Sequence, residues 1–270
     1  MCRAHHGPVR RTQRLADQEG QMSEQKRPHL SHTQLNMWLR CPRQYEFRYW
    51  KGLKIPPAGA MIQGSCYHEA LARNFTHKLD THEDMPVPDI LDYFSDTWAA
   101  KLASEPEVDW EGDDPGRLKD EGVRLTKMYR EQKAPEVQPF LVEEKLVLPL
   151  DGQDLDFVGI VDLVCLDDLV VDHKTVARTP TQADVDQDIQ ATAYAFLLQR
   201  DIDFAIHAAV KNKTPKLAEI RTRRTQADIA WWLDMVQGVW RQMQTGIAPP
   251  NPCGWHCSPA GCGYWRLCRP

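Results

Sequence analysis

One stretch limits what this chain can fold into more than any other. It reads Gly159-Ile160-Val161-Asp162-Leu163-Val164-Cys165-Leu166-Asp167-Asp168-Leu169-Val170-Val171-Asp172-His173-Lys174-Thr175. Two runs rich in β-branched residues flank a polar break at Asp167-Asp168, the pattern of a β-hairpin. Strand side chains alternate faces, so Asp172 and Lys174 project to one side and His173 to the other. Asp162 ends the apolar part of the neighbouring strand, so two carboxylates and an ammonium can meet on one side. Carboxylates placed like this suit a hard divalent cation such as magnesium, which takes oxygen ligands and keeps several waters. The lysine can hold or deprotonate a metal-bound water, or steady charge growing on a phosphate. The plainer alternative is a solvated cross-strand ion pair.

The 270 residues, 42% hydrophobic and 26% charged, fit one globular α/β domain with room for a sizeable core. A net charge of -5 and a pI near 6.1 exclude a wholly basic nucleic-acid clamp, so nucleic acid would have to be met by local patches. No apolar run reaches the roughly 18 residues a membrane span needs. Residues 1–28 are polar, lack the apolar core of a secretory signal and read as a disordered leader, with Met22 an alternative start. A cytoplasmic location is expected.

Along the chain, Ser31-His32-Thr33-Gln34 is a capping box opening a helix with Leu35, Trp38 and Leu39 inward. Pro42, after Cys41, can start a second helix. Arg43, Arg48, Lys51 and Lys54 then interleave with Tyr45, Phe47, Tyr49 and Trp50. This reads equally as a nucleic-acid track or as an amphipathic helix. Gly64 opens a helical pattern carrying His68, which could reach a cation or simply pack. Helices are expected over 90–102, 117–132, 184–200 and 225–244, and strands over 140–148, 157–164, 169–174 and 204–210. Glu144 is either a polar neighbour of the metal or an exposed strand residue. Gln190 and Tyr194 stand at i and i+4 on one helix face. Lys211, Lys213, Lys216, Arg221, Arg223 and Arg224 form the densest basic segment.

Of eight cysteines, Cys253, Cys257, Cys262 and Cys268 fall in the last eighteen residues. Thiolates at such spacings suit zinc or an iron–sulfur cluster. The tail could bind alone, or three of its cysteines could join Cys41; unligated thiols are the remaining alternative.

Taken in order, Cys41-Pro42, Gly64-x-x-x-His68, Gly159-x-x-Asp162, Asp172-x-Lys174-Thr175, Gln190-x-x-x-Tyr194 and the cysteine-rich end resemble the PD-(D/E)XK nuclease superfamily, in its RecB-like, Cas4-like branch with C-terminal iron–sulfur cysteines. The likeness runs from Leu30 to Cys268. It implies an α/β fold, a central mixed sheet flanked by helices, with an N-terminal helical part and a cysteine-rich metal-binding tail. Residues 29–270 would be one nuclease domain, with its catalytic core over 139–225 and the segment 250–270 packed near Cys41. It implies Asp162, Asp172 and Lys174 as catalytic residues supported by Gln190 and Tyr194. Mg2+ or Mn2+ would be held by His68, Asp162, Asp172 and the backbone carbonyl of His173. A [4Fe-4S] cluster, or zinc instead, would sit on Cys41, Cys257, Cys262 and Cys268. The spacing between Cys257 and Cys262 departs from the family's, which makes Cys253 an alternative to Cys257.

The implied activity is metal-dependent hydrolysis of DNA, as an exonuclease on single strands or ends, in recombination, repair or CRISPR adaptation. Helicases, recombinases or CRISPR-adaptation proteins would be its partners. The rivals are a non-catalytic DNA-end or protein adaptor on the same fold, and an RNA-directed nuclease.

Overall fold

The computed structural model describes residues 27–269, so the expected leader lies almost wholly outside the described residues. In chain order the elements are β1 (His29–Ser31), α1 (His32–Arg40), α2 (Pro42–Tyr45), a π-helical turn (Glu46–Trp50), α3 (Gly59–Thr81), α4 (Val87–Ser104), α5 (Pro115–Gln132), a 3-10 turn (Ala134–Glu136), β2 (Pro139–Pro149), β3 (Asp156–Cys165), β4 (Leu169–Val176), α6 (Gln182–Asp186), α7 (Ile189–Leu198), β5 (Ile202–Val210), β6 (Lys216–Arg224), α8 (Gln226–Gln244) and α9 (Trp265–Cys268).

Local chemistry sets several boundaries. Ser31 Oγ accepts from the Gln34 N–H, and the Gln34 side chain accepts from the Ser31 N–H, closing the capping box that starts α1. The helix expected over 184–200 is broken into α6 and α7. Asp188 caps α7 by accepting the Gln190 N–H at 2.8 Å. The buried guanidinium of Arg224 fixes the break by donating to the carbonyls of Val185, Asp186 and Asp188. Three backbone acceptors and Thr192 Oγ1 satisfy this cation inside the core.

Six strands form one mixed sheet. β4 and β5 run parallel, and β5 and β6 antiparallel. β3 pairs antiparallel with β2 along its length. Its other edge is shared: β1 pairs at Asp156–Val158, and β4 pairs only at Leu163–Val171 and Val164–Val170. Helices cover both faces. Leu35, Trp38, Tyr194, Trp232 and Val236 pack with Phe157 and Val161 on one face. Leu71, Phe75, Phe94, Leu125 and Tyr129 pack with Leu163 and Val171 on the other. Burying each large apolar side chain contributes roughly 1.5–3 kcal/mol.

Two strands exchange faces at one rung. Along β3, Phe157 and Val161 belong to the α7–α8 core, whereas Leu163 and Cys165 belong to the α3–α5 core. Along β2, Leu146 and Leu148 face the first core and Val142 the second. Alternation with period two forbids this without a local irregularity. Glu143 supplies it, with φ at +47° in the left-handed region that non-glycine residues rarely enter. Val142 pairs with Leu163 and Glu144 with Val161, so Glu143 lies opposite Asp162.

The cysteine-rich tail does not form the expected metal centre. Tyr264 donates to the Leu53 carbonyl at 2.9 Å and the Asn251 side chain to the Arg40 carbonyl at 3.0 Å, so the tail packs near Cys41. Cys41 Sγ accepts the Asn251 N–H, and Cys262 Sγ accepts from the Gln44 amide. The cavity bounded by Cys41, Cys257, Cys262 and Cys268 holds only about 20 Å³. That is room for about one water. Cys253 is exposed, and among the described residues no set of three cysteines has its sulfurs within mutual ligand reach. Neither the [4Fe-4S] cluster nor its zinc alternative stands.

Candidate active site

The face exchange places the site. On the α3 side, His68, Glu143 and Asp162 each offer one ligand atom, and these atoms all lie within 4.8 Å of one another. His68 Nδ1 is 3.2 Å from Asp162 Oδ2. On the α7 side, Asp172 Oδ1 accepts from the Gln190 amide at 2.8 Å, and Lys174 Nζ lies 2.8 Å from Asp172 Oδ2. The ammonium also donates to Gln190 Oε1 at 2.9 Å, while the Gln190 amide reaches the Tyr194 hydroxyl at 2.8 Å.

Asp162 joins the two halves. The β3–β4 ladder stops at Leu163–Val171, and in place of the next backbone bond Asp162 Oδ2 accepts the His173 N–H at 3.1 Å. The Tyr194 hydroxyl lies 3.4 Å from Asp162 Oδ1 and the same distance from Asp172 Oδ1. The centre is therefore threaded through a split in the sheet, with histidine and glutamate on one side and the lysine pair on the other.

Burial and crowding set the charges. Burial pushes the Asp172 carboxyl up to about 6 against the pull of Lys174, with the Asp162 charge adding to the rise. Partial burial and then the Asp162 charge push Glu143 up to about 7, although much of its side chain is open to solvent. Burial would raise Asp162 too, but His68 and the His173 ring and N–H hold it below the ordinary carboxylate range. Burial would lower Lys174, yet Asp172 outweighs it and the ammonium is held above its usual value. His68 is likewise raised, burial being outweighed by Asp162.

Three crowded carboxyls and one imidazole are a donor set that fits a hard divalent cation, whose charge would relieve the crowding that raises Asp172 and Glu143. A cleft of about 790 Å³ opens on this set, with Thr33, Arg73, Tyr93 and Ile160 among its walls.

The structure brings together His68, Asp162, Asp172, Lys174, Gln190 and Tyr194. Asp172 stays outside the His68–Glu143–Asp162 group, engaged instead by Lys174, Gln190 and Tyr194. His173 contributes its N–H to Asp162, and its ring turns to the α3–α5 side, stacked on Phe75. Glu143 takes the place beside the metal group that the sequence offered to its neighbour Glu144. The arginines of the basic run are already engaged: Arg221 pairs with Glu219, Arg223 with Asp203, and Arg224 is buried. In the N-terminal aromatic stretch Tyr45 and Phe47 are core residues, Arg43 and Lys51 pair with Glu46, and Tyr49 and Trp50 remain partly exposed.

A mixed sheet carrying a His/Glu/Asp group beside an Asp–Lys pair is consistent with a nuclease-type active site. The chain belongs to the PD-(D/E)XK nuclease superfamily, whose family model matches residues 29–269. Among solved structures, the chain is similar to a putative exonuclease from Eubacterium rectale. The TM-score is 0.55 at 12% identity, covering 94% of this chain and 95% of that one, a likeness of fold. The structure of SSO0001 aligns at a TM-score of 0.40 and 12% identity, over 88% of this chain and 89% of that one. No curated protein matches the chain. The family model supports the superfamily and no finer branch. With the cysteine centre gone, the RecB-like, Cas4-like placement and its CRISPR association do not hold. No helix among the described residues is long and apolar enough to cross a membrane.

Proposed function

We propose that this protein hydrolyses phosphodiester bonds in DNA, as an exonuclease acting on single strands or ends, with Mg2+ or Mn2+ held by His68, Glu143 and Asp162 and with Asp172 as the adjoining ligand. The observation that carries this reading is the double use of Asp162: one oxygen faces His68, and the other shares a tyrosine hydroxyl with Asp172. A divalent cation bound there supplies an acidified water and positive charge for the phosphate.

The chain's own groups do the rest. Lys174, held charged against Asp172, orients the attacking water and offsets negative charge on the phosphoryl oxygens. Gln190 keeps both partners in place through one amide. The cleft beside Arg73 and Tyr93 admits the strand, the guanidinium for a phosphate and the ring for a base. A cytoplasmic setting, where nucleic acid is met, belongs to the same reading.

The test is digestion of 5′- and 3′-labelled single- and double-stranded DNA with Mg2+ or Mn2+, beside labelled RNA. Stepwise shortening of DNA by wild type and none by Asp162→Ala is expected. Cleavage of RNA alone would move the substrate assignment, and DNA binding without cleavage under either metal would leave an adaptor.

A further inference from the structure

Behind His173 lies a buried line of side chains that the proposed chemistry does not use. Tyr129, on α5, is fully buried, and its hydroxyl is 2.9 Å from His173 Nε2 and 2.9 Å from His207 Nδ1. Both histidines are themselves buried. At the far end, Glu219 Oε2 lies 3.4 Å from His207 Nε2 and is held by Lys133 at 2.7 Å.

We infer that Tyr129 is a positioning residue for the catalytic centre, bolting the His173 ring, and through it the His173 peptide, against Asp162. This rests on the reading of Asp162 and Asp172 as the metal-binding acids.

A hydroxyl has one proton, so Tyr129 donates to one ring and accepts from the other. In either direction the hydroxyl bonds both rings. The remaining His173 nitrogen, Nδ1, faces Asp162 Oδ2 at 3.9 Å.

The bolt matters because of where the ladder ends. Beyond Leu163–Val171 no backbone bond joins β3 to β4, and the next rung is carried by the His173 N–H on Asp162. A peptide held on that side by one side-chain acceptor depends on its own ring for position. The ring is packed on Phe75, with centroids 5.9 Å apart, and pinned at its tip by Tyr129. Shifting that tip moves the N–H that orients Asp162 and changes the separation of the two acids.

The experiment compares full-length wild type with Tyr129→Phe, which removes only the hydroxyl. Free Mn2+ is followed by EPR during titration, and single-strand DNA cleavage is resolved into kcat and KM. The expected result is Mn2+ affinity weakened about 10–100-fold and a lowered kcat, with KM for DNA near the wild-type value. Equal Mn2+ affinity and kcat in the two proteins would overturn the inference. Side-chain 15N NMR of wild type gives a second reading that needs no variant. The His173 Nε2 resonance is expected to carry the shift of a hydrogen-bonded nitrogen, and an Nε2 with no hydrogen bond would overturn the bolt even if Tyr129→Phe fails to fold. Wild type that neither binds Mn2+ nor cuts DNA sinks the nuclease reading instead, a separate outcome from either of these.

Discussion

Lys174 and Gln190 are joined at 2.9 Å, ammonium to amide oxygen, across the gap between β4 and α7. The same amide, through its nitrogen, holds Asp172. One neutral side chain thus bridges an acid and a cation that are themselves in contact at 2.8 Å.

Lys174→Ala is expected to lower kcat about 10²–10³-fold, since it removes a fixed charge aimed at the phosphate. Mn2+ affinity is expected to stay near that of wild type. Lys174→Ala cleaving at the wild-type rate would remove the lysine from the chemistry.

Glu143 ties cation affinity to pH. Its carboxyl is raised to about 7, so protons compete for it in the neutral range. Mn2+ affinity should strengthen as pH rises through about 7 and flatten above it. Glu143→Gln should bind Mn2+ more weakly and lose this component. An unchanged pH profile in Glu143→Gln, read by EPR, would exclude the glutamate as a ligand.

His207 gives a stability test at acid pH. Burial lowers its folded value to about 4, against 6.5 for an unperturbed ring. Between these limits the unfolded chain binds more protons, so the contribution of His207 is full above about 6.5 and is lost as pH falls through about 4. His32 acts in the same sense, whereas Asp172 and Glu143, raised, act in the opposite one. The difference between wild type and His207→Gln in urea unfolding isolates the ring. It should change by no more than about 1.4 kcal/mol per pH unit across that window.

Away from the site, Lys78 and Asp84 form a buried ion pair at 3.1 Å under α3, α4 and α5. Asp84 also accepts from Asn74, and Lys78 donates to the Ala134 carbonyl. Asp84→Ala strands a buried ammonium and should cost about 3–5 kcal/mol in denaturant unfolding. A loss below about 1 kcal/mol would mean that the pair is dispensable.

The polar residues of the centre were legible because each sits at a spacing that local geometry decodes. Asp172 and Lys174 are two apart on a strand, and Gln190 and Tyr194 are four apart on a helix. Glu143 was hidden because strand alternation is a local rule, and here it is suspended by one left-handed residue whose reason lies across the sheet. Tyr129 and His207 were hidden for another reason: their partners are 44 and 78 residues from Tyr129 in sequence, and a hydroxyl between two rings leaves no periodic trace. The tail misled in the opposite way. Its cysteine spacings are suggestive, but ligand reach is fixed by packing, and Tyr264 and Asn251 close the space. The arginines of the basic run, on β6, misled similarly, since composition counts charges without showing which are already paired.

The seam at Glu143 and Asp162 divides each of two strands into lengths that answer to different cores. Point substitutions on either side are judged by their own set of helices, and the two halves can drift separately. Straightening the left-handed residue at the seam into plain strand, with no change in length, would restore simple alternation and turn one whole half inside out. A homologue that has lost its acids while keeping a left-handed residue at this rung would therefore still carry the imprint of the catalytic centre in its backbone.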